Sequence, residues 1–296
     1  MTRSERRNLR NGLLFISPWL FGFIVFSIYP LIASVYYSFT DYNVVQPPVW
    51  TGLNNYHELF FEDPLFWTAL YNTMYFTLFS VPLSLAVSLG IALLLNMKIP
   101  AMSVYRTIFF LPSIVPLVAS SVLWLWVLNP DNGLINAMLI QVGIEGPGWI
   151  ADPQWSKPSL VLMSLWGIGG AVVIFLAGLS DVPETLYEVA ELDGAGHWAK
   201  FRNVTLPMMT PTILFNLVMG LILSFQYFTQ VYVMTNGRGT PADSTMFYAL
   251  YLYRQSFYYL RMGYASAMAW MLFVVILTAT LGVLASSKRW VYYQGE

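Results

Sequence analysis

Any covalent chemistry in this 296-residue chain would have to rest on two histidines, 15 acidic residues and no cysteine at all. Without a thiol there is no disulfide, no thiolate metal site and no cysteine nucleophile. His57 and His197 lie far apart in sequence, and no cluster of His, Asp and Glu has metal-ligand spacing. Only His197 has an acid at helical spacing, Asp193, four residues before it. Nucleophilic catalysis would need that pair in a pocket beside a serine. In a short polar stretch the pair reads as a solvated helix face. The glycine-dense run TNGRGTP, Thr235–Pro241, lacks the lysine that a phosphate-cradling loop requires. Neither catalysis nor ATP binding by this chain is therefore expected.

The surrounding elements are mostly apolar. Hydrophobic residues make up 57% of the chain, charged residues 10%, and mean hydropathy is +0.59. Soluble domains carry about 25% charged residues, so the composition predicts an integral membrane protein. Six runs approach the roughly 20 residues a spanning helix needs: Leu13–Phe39, Thr73–Leu95, Ile108–Leu128, Leu160–Leu179, Thr212–Met234 and Ala265–Ser286. One side collects Arg3, Arg6, Arg7, Arg10, Lys98, Arg106, Lys200, Arg202, Lys288 and Arg289; the other has Lys157, Arg238, Arg254 and Arg261. The positive-inside bias makes the first side, with both termini, cytoplasmic. The first apolar run is too long for a cleaved signal, and Pro18 and Pro30 are expected to kink or break it. A net charge of −1 argues against nucleic acid as a partner. No ionisable residue is expected inside a span, which disfavours a proton-driven carrier; a sodium site of carbonyls and hydroxyls stays open. The outer loops, rich in aromatics and turn residues, read as ordered, and no second soluble domain is evident. The expected organisation is one domain over residues 1–296: a cytoplasmic N-terminus at 1–12, a transmembrane core at 13–287 and a cytoplasmic tail at 288–296.

One polar segment interrupts this pattern, EVAELDGAGHWAKFRNVTLP, Glu188–Pro207. Ser180 and Asp181 are N-cap types, Pro183 suits a first helical turn, and Glu184 complements the helix dipole. Leu186, Val189 and Ala190 share one face. Gly194 fits a left-handed C-cap. A second short helix follows, which Pro207 is expected to stop or turn into span five. Helices this short do not persist alone in water. The segment needs a groove on another protein or a lipid surface. Its acidic side, with Glu184, Glu188, Glu191 and Asp193, argues against anionic lipid as the sole partner.

Glu188, Ala190, Asp193, Gly194 and Ala195, then Leu206 and Pro207, resemble the EAA–G–LP loop of permease subunits of binding-protein-dependent ABC importers. Val189 and Val204 stand where that family more often has alanine and isoleucine. GLNNY at Gly52–Tyr56, ALYNT at Ala69–Thr73, IFFLPSIVP at Ile108–Pro116, GLIN at Gly133–Asn136 and MGYASA at Met262–Ala267 extend the resemblance over nearly the whole chain. The first-span pattern is similar to the maltose-transporter F-type or glycerol-phosphate A-type permease of the carbohydrate-uptake branch. NGRGTP departs from a more usual Gly-Gly-Pro turn.

The resemblance implies an all-α integral membrane protein of about six transmembrane helices, with a cytoplasmic coupling helix between spans four and five. It implies a bacterial or archaeal cytoplasmic (inner) membrane. The partners would be a second homologous permease, two P-loop ATPase subunits that use ATP and Mg, an extracytoplasmic sugar-binding protein, and membrane lipid. This chain itself would bind no cofactor and catalyse no reaction. The substrate path would run between spans four and five, past Ser164, Trp166, Gly167 and Gly170, and past Ser224, Gln226, Tyr227 and Gln230. Trp166 would stack on a sugar, the glycines would let it approach the backbone, and the uncharged side chains would bond its hydroxyls. Glycerol phosphate or a related polyol derivative is the alternative substrate. A self-sufficient secondary carrier or channel, or a membrane-embedded glycan enzyme, are the alternative classes.

Overall fold

The computed structural model describes residues 2–97 and 99–292. Lys98, counted above as cytoplasmic, and residues 293–296 of the expected tail lie outside the described residues. Among the described residues, four helices are long and apolar enough to cross a membrane: Arg3–Tyr37, Pro64–Leu95, His197–Thr235 and Met262–Ser287. Two bent pairs, Met102–Ile114 with Leu117–Val127 and Ser156–Gly167 with Gly169–Ser180, bring the total to six if each pair is one span. All six expected runs fall on these elements.

Their shapes differ from straight spans for identifiable reasons. Run three bends by 98°. Pro112 sits in a 3₁₀ turn, and Val115, held extended before Pro116, ends it. Run four bends by 51° at Ile168, within the GIGG stretch, where glycine has low helix propensity. Of the expected kink or break at Pro18 and Pro30, a break does not occur: the first span is continuous from Arg3 to Tyr37. Pro18 lies inside a continuous helix, and a π-helical turn, Ile24–Ile28, precedes Pro30. The same device operates later. A π turn at Phe201–Thr205 ends two residues before Pro207, and the helix continues through it. The extra residue of a π turn accommodates a proline's missing N–H and its ring. The stretch after Gly194 is thus the first turns of span five rather than a separate short helix.

The chain forms two compact units, Met1–Asp63 with Leu252–Met271, and Pro64–Tyr251 with Leu272–Glu296. In the first, a two-stranded antiparallel pair sets Thr40 opposite Trp50. The Asn55 amide donates to the Ser38 and Thr40 carbonyls, both at 2.9 Å. Gly263 lies so close that a Cβ there would come within 2.0 Å of the Thr40 oxygen. Arg261 pairs with Glu58 at 2.7 and 2.5 Å. In the second unit, helix Pro64–Leu95 packs against Gly169–Ser180 and Leu206–Phe225. Ala92, Leu95, Val172, Phe175, Leu179, Val182 and Met209 form the core between them.

The motifs that carried the resemblance are largely structural. Asn72 of ALYNT donates to the carbonyls of Asp243 (2.8 Å) and Met246 (3.1 Å), and Thr73 accepts from the Tyr248 N–H at 2.8 Å. Asn136 of GLIN donates to Pro130 at 2.8 Å and Pro147 at 3.2 Å, and accepts from the Trp149 indole at 2.6 Å. Three buried asparagines thus each tie down carbonyls of irregular backbone, which must be satisfied once removed from water.

Candidate coupling segment and broken spans

The polar segment begins two residues later than its capping residues suggested. Ser180 ends helix Gly169–Ser180, with its hydroxyl on the Leu176 carbonyl at 3.0 Å, and Asp181 is the C-cap there. Pro183 is the N-cap residue of helix Glu184–Leu192 and makes no side-chain cap. Glu184 opens the first turn, where a negative charge suits the dipole.

The far end is fully specified. Gly194 has φ +75°. Its N–H donates to the Glu191 carbonyl, and the Ala195 N–H donates to that of Ala190, both at 2.9 Å. This pair of bonds is the Schellman arrangement, which satisfies carbonyls the helix leaves open. Ala190, Gly194 and Ala195 are therefore one structural unit: two ends of a hydrogen bond and the residue that makes the bend.

Two contacts tie the segment to the rest of its unit. The Tyr187 hydroxyl meets Thr205 Oγ1 at 2.9 Å, and Val182 is buried in the core. Lys200 bonds Glu191 across the bend. That hydrogen bond, with the lysine's charge, holds the Glu191 carboxyl below the usual carboxylate range. On the other side Val189 is 56% exposed, Leu192 88% and Trp198 72%. Glu188 and Asp193 are exposed beside them, while Leu206 and Pro207 are half-buried where span five leaves the segment. The helix thus presents an apolar strip flanked by carboxylates. Tyr187, Thr205 and Lys200 were not singled out from sequence. Each pair joins the two sides of the Gly194 bend, a juxtaposition that spacing along the sequence does not report.

The substrate-path candidates cluster around the two breaks. Ser164 donates to the Val161 carbonyl at 2.7 Å and Ser224 to that of Leu221 at 2.9 Å, so each hydroxyl is satisfied by its own helix. Trp166 packs edge-on against Trp124, centroids 6.0 Å apart. Gly167 and Gly170 are exposed and face open space, whereas Gly169 is buried against Phe109, Phe110 and Ser113. Span five loses helical structure at Gln226–Phe228 and resumes at Thr229. Gln226 is exposed there and Gln230 half-buried. Tyr227 stacks on Phe76, centroids 4.3 Å apart, and its buried hydroxyl has no hydrogen-bond partner among the described residues. No hydrogen bond or ring contact among the described residues joins the Ser164–Gly170 set to the Ser224–Gln230 set. Irregular backbone at membrane depth is tolerated only inside protein or along a cavity. Truncating Trp166→Ala is expected to reduce uptake more than it reduces membrane assembly of the chain. Parallel loss of both, measured by transport and by immunoblot of membranes, would make Trp166 a packing residue.

Two cations lie near the ends of the bent pairs. Arg106 and Lys157 lie within helices of the bent pairs, because those helices extend beyond their apolar windows. Arg106 donates to the Leu95 carbonyl through Nε at 3.3 Å and Nη2 at 3.1 Å, capping the end of helix Pro64–Leu95. Lys157 donates to Asn72 Oδ1 at 3.1 Å. A lysine and an asparagine far apart in sequence gave no signal of this pairing.

Broken apolar spans, with an exposed, acid-flanked helix between two of them, are the architecture of a multi-pass membrane protein. Residues 82–291 match the family described as binding-protein-dependent transport system inner membrane component, and the chain belongs to it. It is 41% identical to the probable ABC transporter permease protein YesP of Bacillus subtilis, over 100% of this chain and 96% of that one. The lactose transport system permease protein LacF of Rhizobium radiobacter is 35% identical, covering 96% and 97%. The arabinooligosaccharides transport system permease protein AraP of Bacillus subtilis is 30% identical, covering 90% and 85%. Among solved structures, a bacterial alginate ABC transporter in complex with alginate pentasaccharide-bound periplasmic protein superposes with TM-score 0.83. It has 24% identity and covers 97% of this chain and 98% of that one, which shows a shared fold.

Proposed function

We propose that this chain is the transmembrane subunit of an ATP-driven importer of sugars or oligosaccharides, forming half of the translocation path. The observation that carries the coupling role is the Glu184–Leu192 helix. It is anchored inward by Val182 and Tyr187, capped at Gly194, and presents Leu186, Val189 and Leu192 outward. An apolar strip with flanking acids suits a groove rimmed by basic groups on another protein. A short capped helix joined to span five through the Gly194 bend would carry motion of that partner into the membrane. The sugar assignment rests on likeness to permeases named for lactose and arabinooligosaccharides. In this reading both termini are cytoplasmic, residues 1–296 act as one permease domain in a bacterial or archaeal inner membrane, and ATP and Mg belong to a separate ATPase. A second permease and an external binding protein complete the assembly. The chain alters no bond of its substrate.

Gentle detergent extraction of the tagged chain, followed by mass spectrometry, tests this reading. The expected companions are a second permease and a P-loop ATPase. Glu188→Lys is expected to lose the ATPase and keep the permease. A chain that purifies alone and transports alone in vesicles would refute the proposal.

A further inference from the structure

An apolar groove of about 570 Å³ runs along helix Pro64–Leu95, where it packs beside Ser156–Gly167. Tyr75, Phe79 and Ala86 line one wall; Val161, Leu162 and Leu165 line the other. Lys157 stands at the tyrosine end. Its ammonium lies 5.6 Å from the ring centres of both Tyr71 and Tyr75 and bonds the Asn72 amide oxygen at 3.1 Å. No carboxylate among the described residues pairs with it. The site therefore holds one uncompensated cation above an apolar channel.

We propose that this groove binds an anionic phospholipid, with the headgroup phosphate on Lys157 and an acyl chain along the channel. Three observations select this occupant. The charge is complementary, since a half-buried ammonium without an acid partner favours an anion beside it. The dimensions fit: Tyr75 to Ala86 spans roughly 16 Å of helix at about 1.5 Å per residue, and one leaflet's share of a hydrocarbon core about 30 Å thick is about 15 Å. The polar end is where a headgroup would be, because Trp67, Tyr71 and Tyr75 recur at four-residue spacing there and such rings gather at the membrane interface. A sugar is disfavoured, since apart from the Tyr75 hydroxyl the lining side chains offer its hydroxyls no partner. The inference rests on membership of an inner-membrane family and not on the substrate reading, so the two can fail separately.

The test uses the full assembly in nanodiscs of equal phosphatidylglycerol and phosphatidylcholine, with retained lipid identified by native mass spectrometry. The wild type is expected to retain phosphatidylglycerol about fivefold over phosphatidylcholine, the preference of one lysine near a membrane surface. Lys157→Gln is expected to bring the ratio to parity. Leu162→Trp, on the exposed wall, is expected to displace both lipids while leaving Lys157 in place. An unchanged ratio in Lys157→Gln would overturn the proposal. So would disulfide trapping of Leu162→Cys, in a chain with no native cysteine, by a cysteine scan of the second permease, because the groove would then be covered by protein.

Discussion

Gly194→Pro is expected to abolish uptake while the chain still reaches the membrane. The residue sits at φ +75° and its N–H donates to the Glu191 carbonyl at 2.9 Å. Proline fixes φ near −65° and has no N–H, so both features are lost together. The Ala195 bond to Ala190 depends on the same bend. Without it the helix Glu184–Leu192 would leave span five at a different angle, and Lys200 would lose Glu191. Nothing else lies within 4 Å of where a Cβ would stand, so a substitution here acts through backbone conformation and not through a clash. That permits a graded series. An alanine in the left-handed region costs about 1–2 kcal/mol, which predicts a partial loss of uptake for Gly194→Ala. Gly194→Asn should be milder still, since asparagine tolerates this conformation best among non-glycine residues. Transport rates normalised to membrane protein should fall in the order Gly, Asn, Ala, Pro. Equal uptake by the wild type and all three variants would remove the bend from the mechanism.

Much of the fold was legible in sequence because apolar runs and turn residues report locally. All six runs found a helix, and Gly194 showed as a C-cap from its place after a polar helix. What was not legible came from longer-range accommodation. A proline reads as a helix stop, yet Pro30 and Pro207 are both carried through by a π turn just upstream. That device has no composition signature, and missing it hid the continuity between the segment and span five. Motif resemblance singled out the segment but said nothing of why Asn55, Asn72 and Asn136 stand where they do. Their partners are main-chain carbonyls, which any sequence provides. Likewise Trp166 was legible as an aromatic in a glycine-rich span, whereas Trp124 as its neighbour was not. The partner lies on a different helix, across a 98° bend that only the assembled chain creates.

Asn72→Leu is expected to be strongly destabilising for the larger unit. The side chain is 2% exposed and makes three hydrogen bonds. Its amide holds the carbonyls of Asp243 and Met246, and its oxygen accepts from Lys157. Leucine is of similar size, so the effect would come from unpaired polar groups and not from a cavity. Each buried group left without a partner costs about 1–3 kcal/mol. Water reaching the loop would recover part of this, and a net loss of about 3 kcal/mol is expected. That corresponds to a fall of several degrees in melting temperature, measurable by following unfolding in detergent. A double-mutant cycle separates the terms. Lys157→Met alone removes the cation, leaves both carbonyl bonds intact and unpairs only the Asn72 amide oxygen, so it should cost about 1 kcal/mol, less than Asn72→Leu. In the Asn72→Leu background the same change removes a cation already stranded, and should restore part of the lost stability. Strict additivity of the two substitutions would mean that Asn72 acts only through the loop. Recovery in the double variant would show that one buried amide both closes the loop at Asp243–Met246 and holds the lysine at the mouth of the groove.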